Sequence, residues 1–339
     1  MKKDNSIQIA RAIAVIMVLI HHSLSHIEQT KAVIHITFAL NHVHVVVFFV
    51  IAGLLFEKQK DKIYQTDFQR YFMSKWNRLM VPYLFWFLLI SIAVNAMLLI
   101  PVVKNIVLGM GYQKWNLWNF VWNTITMQDY YVMHLWFVYV LFGIYIVNYI
   151  GKNLLSEWKI FCLLFFMTII LKNLFVFPIL IDRFLIYYMY FFFGRMLIRY
   201  GKKDLFLNCK ISVAAFFAVF IFAYMEYTIP NSFSYTYIGN FIWGIAGTQL
   251  VLVISRQIIK KTVCFANVLK KIGDSSYSIY LIHNPYVLIV FFMIMRKVGG
   301  IVPAYIQVVL SVILCVVIPM YVEQVIKRMP KLHKIMFGT

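Results

Sequence analysis

Residues that can carry a charge lie at both ends of one apolar stretch near the start of the chain. In RAIAVIMVLIHH, residues 11–22, Arg11 opens the stretch, His21 and His22 close it, and the nine residues between are all apolar. In a helix, eleven steps of 100° and 1.5 Å place His22 within about 20° of Arg11 and about 16 Å further along, whereas His21 points about 80° away. Arg11 and His22 are therefore predicted to share one face.

This pair suits proton transfer beside a charged or polarised group. A neutral histidine can take a proton from a hydroxyl and pass it on, which acyl transfer to an alcohol requires. Structural explanations remain open: Arg11 could extend to the lipid headgroups, and His22 could be a packing histidine held by one hydrogen bond. An ionisable residue inside a spanning helix costs roughly 2.5–3.5 kcal/mol and usually faces a cavity or a partner. Position alone leaves the two explanations of Arg11 even, and without a further feature a packing role is the commoner one for His22.

Other candidate residues lie on later apolar segments. NHVHVVVFFVIAG places His42 and His44 at the start of the second segment, close to the outer face, where a histidine is commonly interfacial. Tyr280 and His283 are three residues apart and share a helical face. No paired carboxylates, Gly-rich phosphate loop or metal-ligand spacing appears, so no metal is expected.

The composition indicates an integral membrane protein. Of the 339 residues, 63% are hydrophobic and 13% are charged, whereas about a quarter are charged in soluble proteins. The net charge of +20 comes from short clusters between apolar segments, which is typical of cytoplasmic loops, so no nucleic-acid partner is predicted. Apolar runs recur so regularly that we predict a single membrane domain over residues 1–339.

The predicted fold is all-α, a polytopic membrane protein with about ten transmembrane helices. Of the 32 lysines and arginines, 23 fall on one set of alternate loops and seven on the other, which places both termini in the cytoplasm. The predicted segments are 7–25, 33–56, 80–101, 131–150, 158–177, 180–199, 211–228, 237–256, 277–296 and 302–326.

Two segments between the helices are long enough to contribute to binding. Residues 57–79 are basic and aromatic and suit an amphipathic cytoplasmic segment that contacts anionic lipid or binds an anionic ligand. Residues 102–130 contain WNLWNFVWN on the predicted outer side, where tryptophans form an interfacial belt or, less commonly, a platform for sugar rings.

Taken in order, these residues resemble the acyltransferase 3 family of membrane O-acyltransferases over nearly the whole chain. Arg11 and His22 stand at the spacing seen in that family. The other matching stretches are HVVVFFVIAG (44–53), KWNRLMVPY (75–83), HLWFVYVL (134–141), YFFFGRML (190–197) and SSYSIYLIHNP (275–285).

The resemblance implies an enzyme of the plasma membrane that transfers an acyl group other than aminoacyl. The donor is usually cytoplasmic acetyl-CoA, and the acceptor is a hydroxyl of a cell-envelope polysaccharide or lipid-linked glycan. The implied partners are membrane lipid, the coenzyme A thioester, the carbohydrate acceptor and the machinery of glycan synthesis.

The resemblance also implies roles for individual residues. His22 would be the catalytic base or acyl carrier, and Arg11 would hold the donor or polarise its carbonyl. Lys75 and Arg78 would bind the phosphates of coenzyme A. The residues expected to bind the acceptor are His44, Trp136, Tyr280 and His283.

Three residues depart from the family pattern. Ala52 stands where a serine is usual, Val46 where many relatives have an acidic residue, and Lys75 where the basic motif begins with arginine. Lysine keeps the charge but loses the two-pronged hydrogen bonding of a guanidinium.

Two other function classes remain open at this point. An exporter of a polysaccharide or lipid-linked sugar could also use ten helices with tryptophan-rich outer loops. An exporter, however, does not require Arg11 and His22 on one helical face, whereas a transferase does. An inert scaffold in a glycan-synthesis complex would leave the histidines inside the membrane unexplained. The residues therefore favour acyl transfer.

Overall fold

The computed structural model describes residues 4–109, 118, 121–122, 134–152, 158–174, 179–228, 237–298 and 301–338. Throughout these residues the regular secondary structure is helical and no strand occurs, which confirms the predicted all-α class. The first α-helices are α1 (Asn5–Leu24), α2 (Lys31–Asn41), α3 (His44–Lys58), α4 (Lys60–Gln65), α5 (Phe68–Lys75), α6 (Val81–Leu98), α7 (Pro101–Gly109), α8 (Trp136–Ile150) and α9 (Trp158–Leu174).

The second half of the chain continues the same pattern. Its helices are α10 (Ile179–Arg199), α11 (Lys203–Phe206), α12 (Cys209–Thr228), α13 (Tyr237–Lys261), α14 (Val263–Asp274), α15 (Ser276–Ile282), α16 (Leu288–Val298), α17 (Ala304–Ile326) and α18 (Pro330–Phe337). Two π-helical turns, Trp76–Met80 and His283–Val287, lead directly into α6 and α16.

Helix covers most of the described residues in each of the ten predicted segments, and the count of ten membrane-spanning helices stays a prediction. Six helical segments are long and apolar enough to cross a membrane within the described residues, and some of them join successive helices. They are Asn5–Leu24, Lys31–Lys58, Phe68–Leu98, Tyr237–Lys261, Ser276–Val298 and Ala304–Ile326. Shorter apolar helices cover Trp136–Ile150, Trp158–Leu171 and Lys210–Met225. The chain is therefore a multi-pass membrane protein.

The second predicted segment differs from its expected form. It is interrupted at His42–Val43, where α2 ends and α3 begins, so His42 and His44 lie at an internal break and not at the start of the segment. The last turn of α2 has carbonyls without intrahelical partners. The Nδ1 atoms of His42 and His44 lie 2.8 Å from Phe38 O and 2.5 Å from Leu40 O, so the two side chains stabilise the end of α2.

Contacts divide the chain into two compact units. The first comprises Met1–Lys60, Phe161–Ile169 and Tyr187–Val325, and the second comprises Asp61–Ile160, Ile170–Ile186 and Ile326–Thr339.

Helix α1 is enclosed within the first unit. The Asp4 side chain caps its first turn by accepting a hydrogen bond from the Ser6 backbone N–H at 3.1 Å. Ile7, Ala10 and Ala14 pack against α3 and α13, whereas Ile9 and Ala12 pack against α14. Small residues on α1 let its neighbours approach closely, as in other membrane helix pairs.

Glycines allow equally close contact elsewhere in this unit. A Cβ atom at Gly53 of α3 would collide with the backbone carbonyl of Phe191 in α10, and one at Gly194 of α10 would collide with that of Val50 in α3. At Gly273 of α14, a Cβ atom would collide with the carbonyl of Gln8 in α1. These three glycines fix the separation of the helices that surround α1.

In the second unit, tyrosines join α5 to α8. The Tyr71 hydroxyl lies 3.5 Å from Tyr145 O, and the Tyr71 ring stacks on Tyr149 with centroids 4.7 Å apart. The Tyr149 hydroxyl donates to Thr66 O at 2.6 Å. This stack places Lys75, the last residue of α5, beside α8.

Substituting Gly53 or Gly194 with alanine should destabilise the protein. Although alanine favours a helix by about 1 kcal/mol over glycine, the added methyl group must displace a neighbouring backbone, for which overpacking costs of about 1–3 kcal/mol are typical. Thermal unfolding in detergent measures the effect, with a lowered midpoint expected.

Gly143→Ala on α8 is the matched control, because a Cβ atom there would meet a Phe184 ring carbon at an ordinary 3.4 Å. A midpoint for Gly53→Ala equal to that of Gly143→Ala would contradict the close contact between α3 and α10.

Candidate functional site

Four histidines meet in the first unit. The ring centroid of His22 lies 5.4 Å from that of His283 and 5.2 Å from that of His21. His21 stacks on His44 at 4.9 Å. The cluster thus joins α1, the start of α3 and the π-helical turn after α15, which are far apart in sequence.

Backbone carbonyls fix the proton position on three of these rings. Nδ1 of His283 lies 2.8 Å from Tyr280 O and 3.1 Å from Ile279 O, Nδ1 of His21 lies 3.1 Å from Thr37 O, and Nδ1 of His44 contacts Leu40 O. Because a carbonyl oxygen only accepts, each Nδ1 carries the hydrogen, and Nε2 of the neutral ring has the lone pair. These rings are therefore preset with Nε2 as a proton acceptor.

Burial differs across the cluster. His283 is 0% exposed and His44 is 3% exposed, whereas His21 and His22 are half-buried. His21 and His22 each combine partial access with a ring neighbour whose tautomer is fixed, His44 for the first and His283 for the second. Burial therefore does not choose between them, and the role of His22 as the reacting histidine stays a prediction.

Next to His283 the backbone leaves the helical conformation. Asn284 has φ −129° and ψ 133°, which are extended and not helical backbone angles. Its Oδ1 atom is buried and has no hydrogen-bond partner within the described residues. Sequence reasoning missed Asn284, although it follows His283 in LIHNPY, because the break in the helix is visible only in three dimensions.

Tyr280 also belongs to this part of the first unit. Its ring centroid lies 6.1 Å from that of His283, as expected for residues three apart on one helix. On the opposite side of the turn, the Cys315 thiol of α17 lies 3.9 Å from His283 O. α17 is also joined to α1 by a hydrogen bond from the Ser311 hydroxyl to the Ser23 hydroxyl at 2.8 Å.

Arg11 lies on the same continuous helix as His22. Arg11 is half-buried, and its Nη1 donates to Gln8 Oε1 at 3.5 Å, one turn earlier. An axial separation of about 16 Å follows from the helical rise, so one small acyl group cannot contact both side chains at once. If His22 acts at the acyl carbonyl, Arg11 does not polarise that carbonyl, and a role for Arg11 in holding the donor stays a prediction.

A buried ion pair supports the helices near the other end of α3. The Arg195 guanidinium Nε donates to Glu57 Oε2 at 2.9 Å, and the side chains are 0% and 1% exposed. Lys60 and Arg199 approach the other carboxylate oxygen at 3.1 Å and 3.8 Å. This cluster was also missed from the sequence, although Arg195 within the apolar YFFFGRML was a signal that it needed a partner.

The predicted donor-binding residues belong to the second unit. The Lys75 ammonium lies 4.0 Å from the Tyr145 ring centroid and 5.3 Å from that of Tyr71, so it is held against aromatic faces. Arg78 is exposed on the π-helical turn Trp76–Met80. These contacts do not test a role in donor binding for either residue, which stays a prediction.

Trp136 likewise lies in the second unit, at the start of α8. The Arg183 guanidinium carbon is 4.3 Å from its ring centroid, which covers one face of the indole. Acceptor binding by Trp136 stays a prediction and is confined to its other face. Most of the tryptophan-rich stretch WNLWNFVWN lies outside the described residues.

Fold and site together define a multi-pass, all-helical membrane protein with a histidine cluster built around its first helix. The family model described as an acyltransferase domain, acyltransferase 3, matches residues 4–322. The chain therefore belongs to the acyltransferase 3 family, and the expected resemblance is confirmed. Neither the curated proteins nor the solved structures provide a significant match.

The buried ion pair gives a stability prediction. Glu57→Gln leaves Arg195 without its counter-charge, and breaking a buried pair typically costs about 3–5 kcal/mol. Replacing both residues, as Glu57→Gln with Arg195→Met, should cost less than the two single changes combined. Chemical or thermal unfolding of the purified protein in detergent measures all three.

Asp204→Asn is the control, since it removes a solvent-exposed pair with Arg256 that is worth at most about 1 kcal/mol. Equal stability of Glu57→Gln and Asp204→Asn would show that the pair does not hold α3 to α10.

Proposed function

We propose that this acyltransferase is an O-acetyltransferase. It would move the acetyl group of cytoplasmic acetyl-CoA to a hydroxyl of a cell-envelope polysaccharide or lipid-linked glycan. The observation that carries this proposal is the contact between His22 and His283, whose tautomer is fixed by backbone carbonyls. Family membership supports transfer over the export alternative.

In the proposed reaction His22 acts on the acceptor hydroxyl. As the hydroxyl oxygen bonds to the thioester carbonyl carbon, the hydroxyl proton passes to the unprotonated ring nitrogen of His22. The carbon–sulfur bond then breaks, and the leaving thiolate takes that proton, so the products are the O-acetyl ester and coenzyme A. A transient acyl group on His22 is the covalent form of the same chemistry.

The buried neighbours of His22 would orient this histidine and the acceptor. His283 presents Nε2 as an acceptor because its Nδ1 hydrogen is engaged by Tyr280 O and Ile279 O. The Asn284 amide oxygen next to it is able to accept a hydrogen bond from a glycan hydroxyl. Tyr280 and His44 line the same cluster, which supports their assignment to the acceptor.

Arg11, Lys75 and Arg78 would bind the donor. The helical rise separates Arg11 from the site of attack at His22 by about 16 Å, a distance suited to contact along the extended pantetheine arm or its phosphates, not to the carbonyl. Lys75 and Arg78 supply charge for the phosphate groups. Because Lys75 lacks the guanidinium fork, Arg78 would carry most of the directional phosphate recognition.

The proposed topology follows from the same chemistry. Ten membrane helices with both termini in the cytoplasm would place Arg11 in the cytoplasmic half of α1, near the donor, and His22 towards the outer half, near the acceptor. We place the protein in the plasma membrane, in contact with the machinery of glycan synthesis.

Membranes containing the protein should transfer labelled acetyl from acetyl-CoA to a glycan or lipid fraction. His22→Ala should lower the rate at least about 100-fold, because general acid–base catalysis contributes that much. Arg11→Ala should raise KM for acetyl-CoA roughly tenfold or more, as expected when a charged hydrogen bond worth about 1.5–3 kcal/mol is lost. Rates are compared at matched expression.

His26→Ala is the control, because His26 stacks on Phe292 just beyond α1 and outside the cluster. Burial, and then the positive charge of Arg296, lower the pKa of His26, so it is neutral at pH 7. If no label moves while surface glycan declines in cells lacking the protein, the acetyl-transfer proposal fails and export takes its place.

A further inference from the structure

The C-terminal helix α18 is anchored to the part of the second unit that carries Arg78. It contacts α6 and the π-helical turn Trp76–Met80. Three of its eight residues, His333, Met336 and Phe337, are buried. This helix lies beyond residues 4–322, which the acyltransferase family model matches, so its attachment is a feature of this chain outside the matched domain.

One polar contact fixes the position of α18 along α6. The Trp86 indole N–H donates to Met336 O at 2.9 Å, and both groups are buried. The Phe337 ring lies beside the same indole, with centroids 6.2 Å apart. A buried indole N–H without an acceptor is costly, so this bond specifies one docked position.

A second contact reaches Arg78 itself. Gly338 has φ +69°, and its N–H closes α18 by donating to Lys334 O at 2.9 Å. A Cβ atom at Gly338 would collide with the backbone O, C and Cα atoms of Arg78. The end of the chain therefore lies directly against the backbone of Arg78, and only glycine permits both the conformation and the contact.

The turn that carries Arg78 has need of such support. A π-helical turn is a rare conformation, with its hydrogen-bond ladder shifted by one residue, and is frequently found at functional sites. The contact of Gly338 with the Arg78 backbone lies within this turn, so it limits the positions that the turn can take.

We infer that α18 and Gly338 are positioning elements that brace the π-helical turn and so hold Arg78 ready for the donor phosphate. This inference rests on the proposed role of Arg78 in donor binding. The bracing itself is a structural property and can be measured without turnover.

Gly338→Ala is the most direct test, with Gly201→Ala as its matched control. Gly201 has φ +62°, so alanine is equally strained at both positions, but a Cβ atom at Gly201 meets nothing within 4 Å. A chain ending at Met329, which lacks α18, and Trp86→Phe, which removes the bond to Met336, are the second and third variants. The full-length protein in detergent is the reference for all.

Two measurements are made on each variant. Hydrogen–deuterium exchange of peptides covering residues 76–80 reports the stability of the turn, and acetyl-transfer kinetics report KM for acetyl-CoA and kcat. We expect Gly338→Ala and the shortened chain to speed exchange in that segment and to raise KM roughly five- to tenfold with kcat within about twofold, because one charged contact is weakened. Gly201→Ala should change neither.

Equal exchange at residues 76–80 in Gly338→Ala and Gly201→Ala would overturn the bracing role. Faster exchange with an unchanged KM would overturn its importance for the donor. If exchange behaves as expected while the unaltered protein does not turn over acetyl-CoA, the brace is supported and the proposed donor is what fails. Global unfolding of the shortened chain would appear as faster exchange in α1 as well. In that case the exchange of residues 76–80 in Gly338→Ala alone tests whether α18 braces the turn.

Discussion

Every polar group that this protein places inside an apolar helix must find its partner within the protein, since lipid offers none. The enclosure of α1 meets this constraint. Alanines on α1 and Gly273 on α14 bring backbones together, so the polar residues of α1 face protein. Its two ends therefore differ in role: Arg11 contacts Gln8 at one end, and His21 and His22 join the histidine cluster at the other.

Helix breaks supply the partners that a regular helix cannot. The interruption of the second membrane segment frees carbonyls that accept from His42 and His44, and the turn after α15 lets His283 donate to Tyr280 O. In each case the carbonyl sets the tautomer and leaves Nε2 as the acceptor. The breaks in the helices thus set the tautomers of these three rings.

Charge is handled differently in the two units. In the first, Arg195 and Glu57 neutralise each other in a buried pair, which suits a structural role in holding α3 to α10. In the second, the Lys75 ammonium lies against the faces of two tyrosine rings, and Arg78 is exposed on the π-helical turn. The basic residues of the first unit are thus held by a buried carboxylate, whereas Lys75 is held by aromatic rings.

The sequence by itself determined the all-helical membrane class, the family, and the shared face of Arg11 and His22, because hydropathy and helical spacing are local properties. The tertiary structure decided which histidine meets which, since His22 and His283 are brought together by the packing of separate helices. It also decided the break at His42–Val43, the partner of Arg195, the conformation of Asn284 and the seat of α18 on Arg78. These depend on contacts between residues distant in the chain, and no local pattern encodes them.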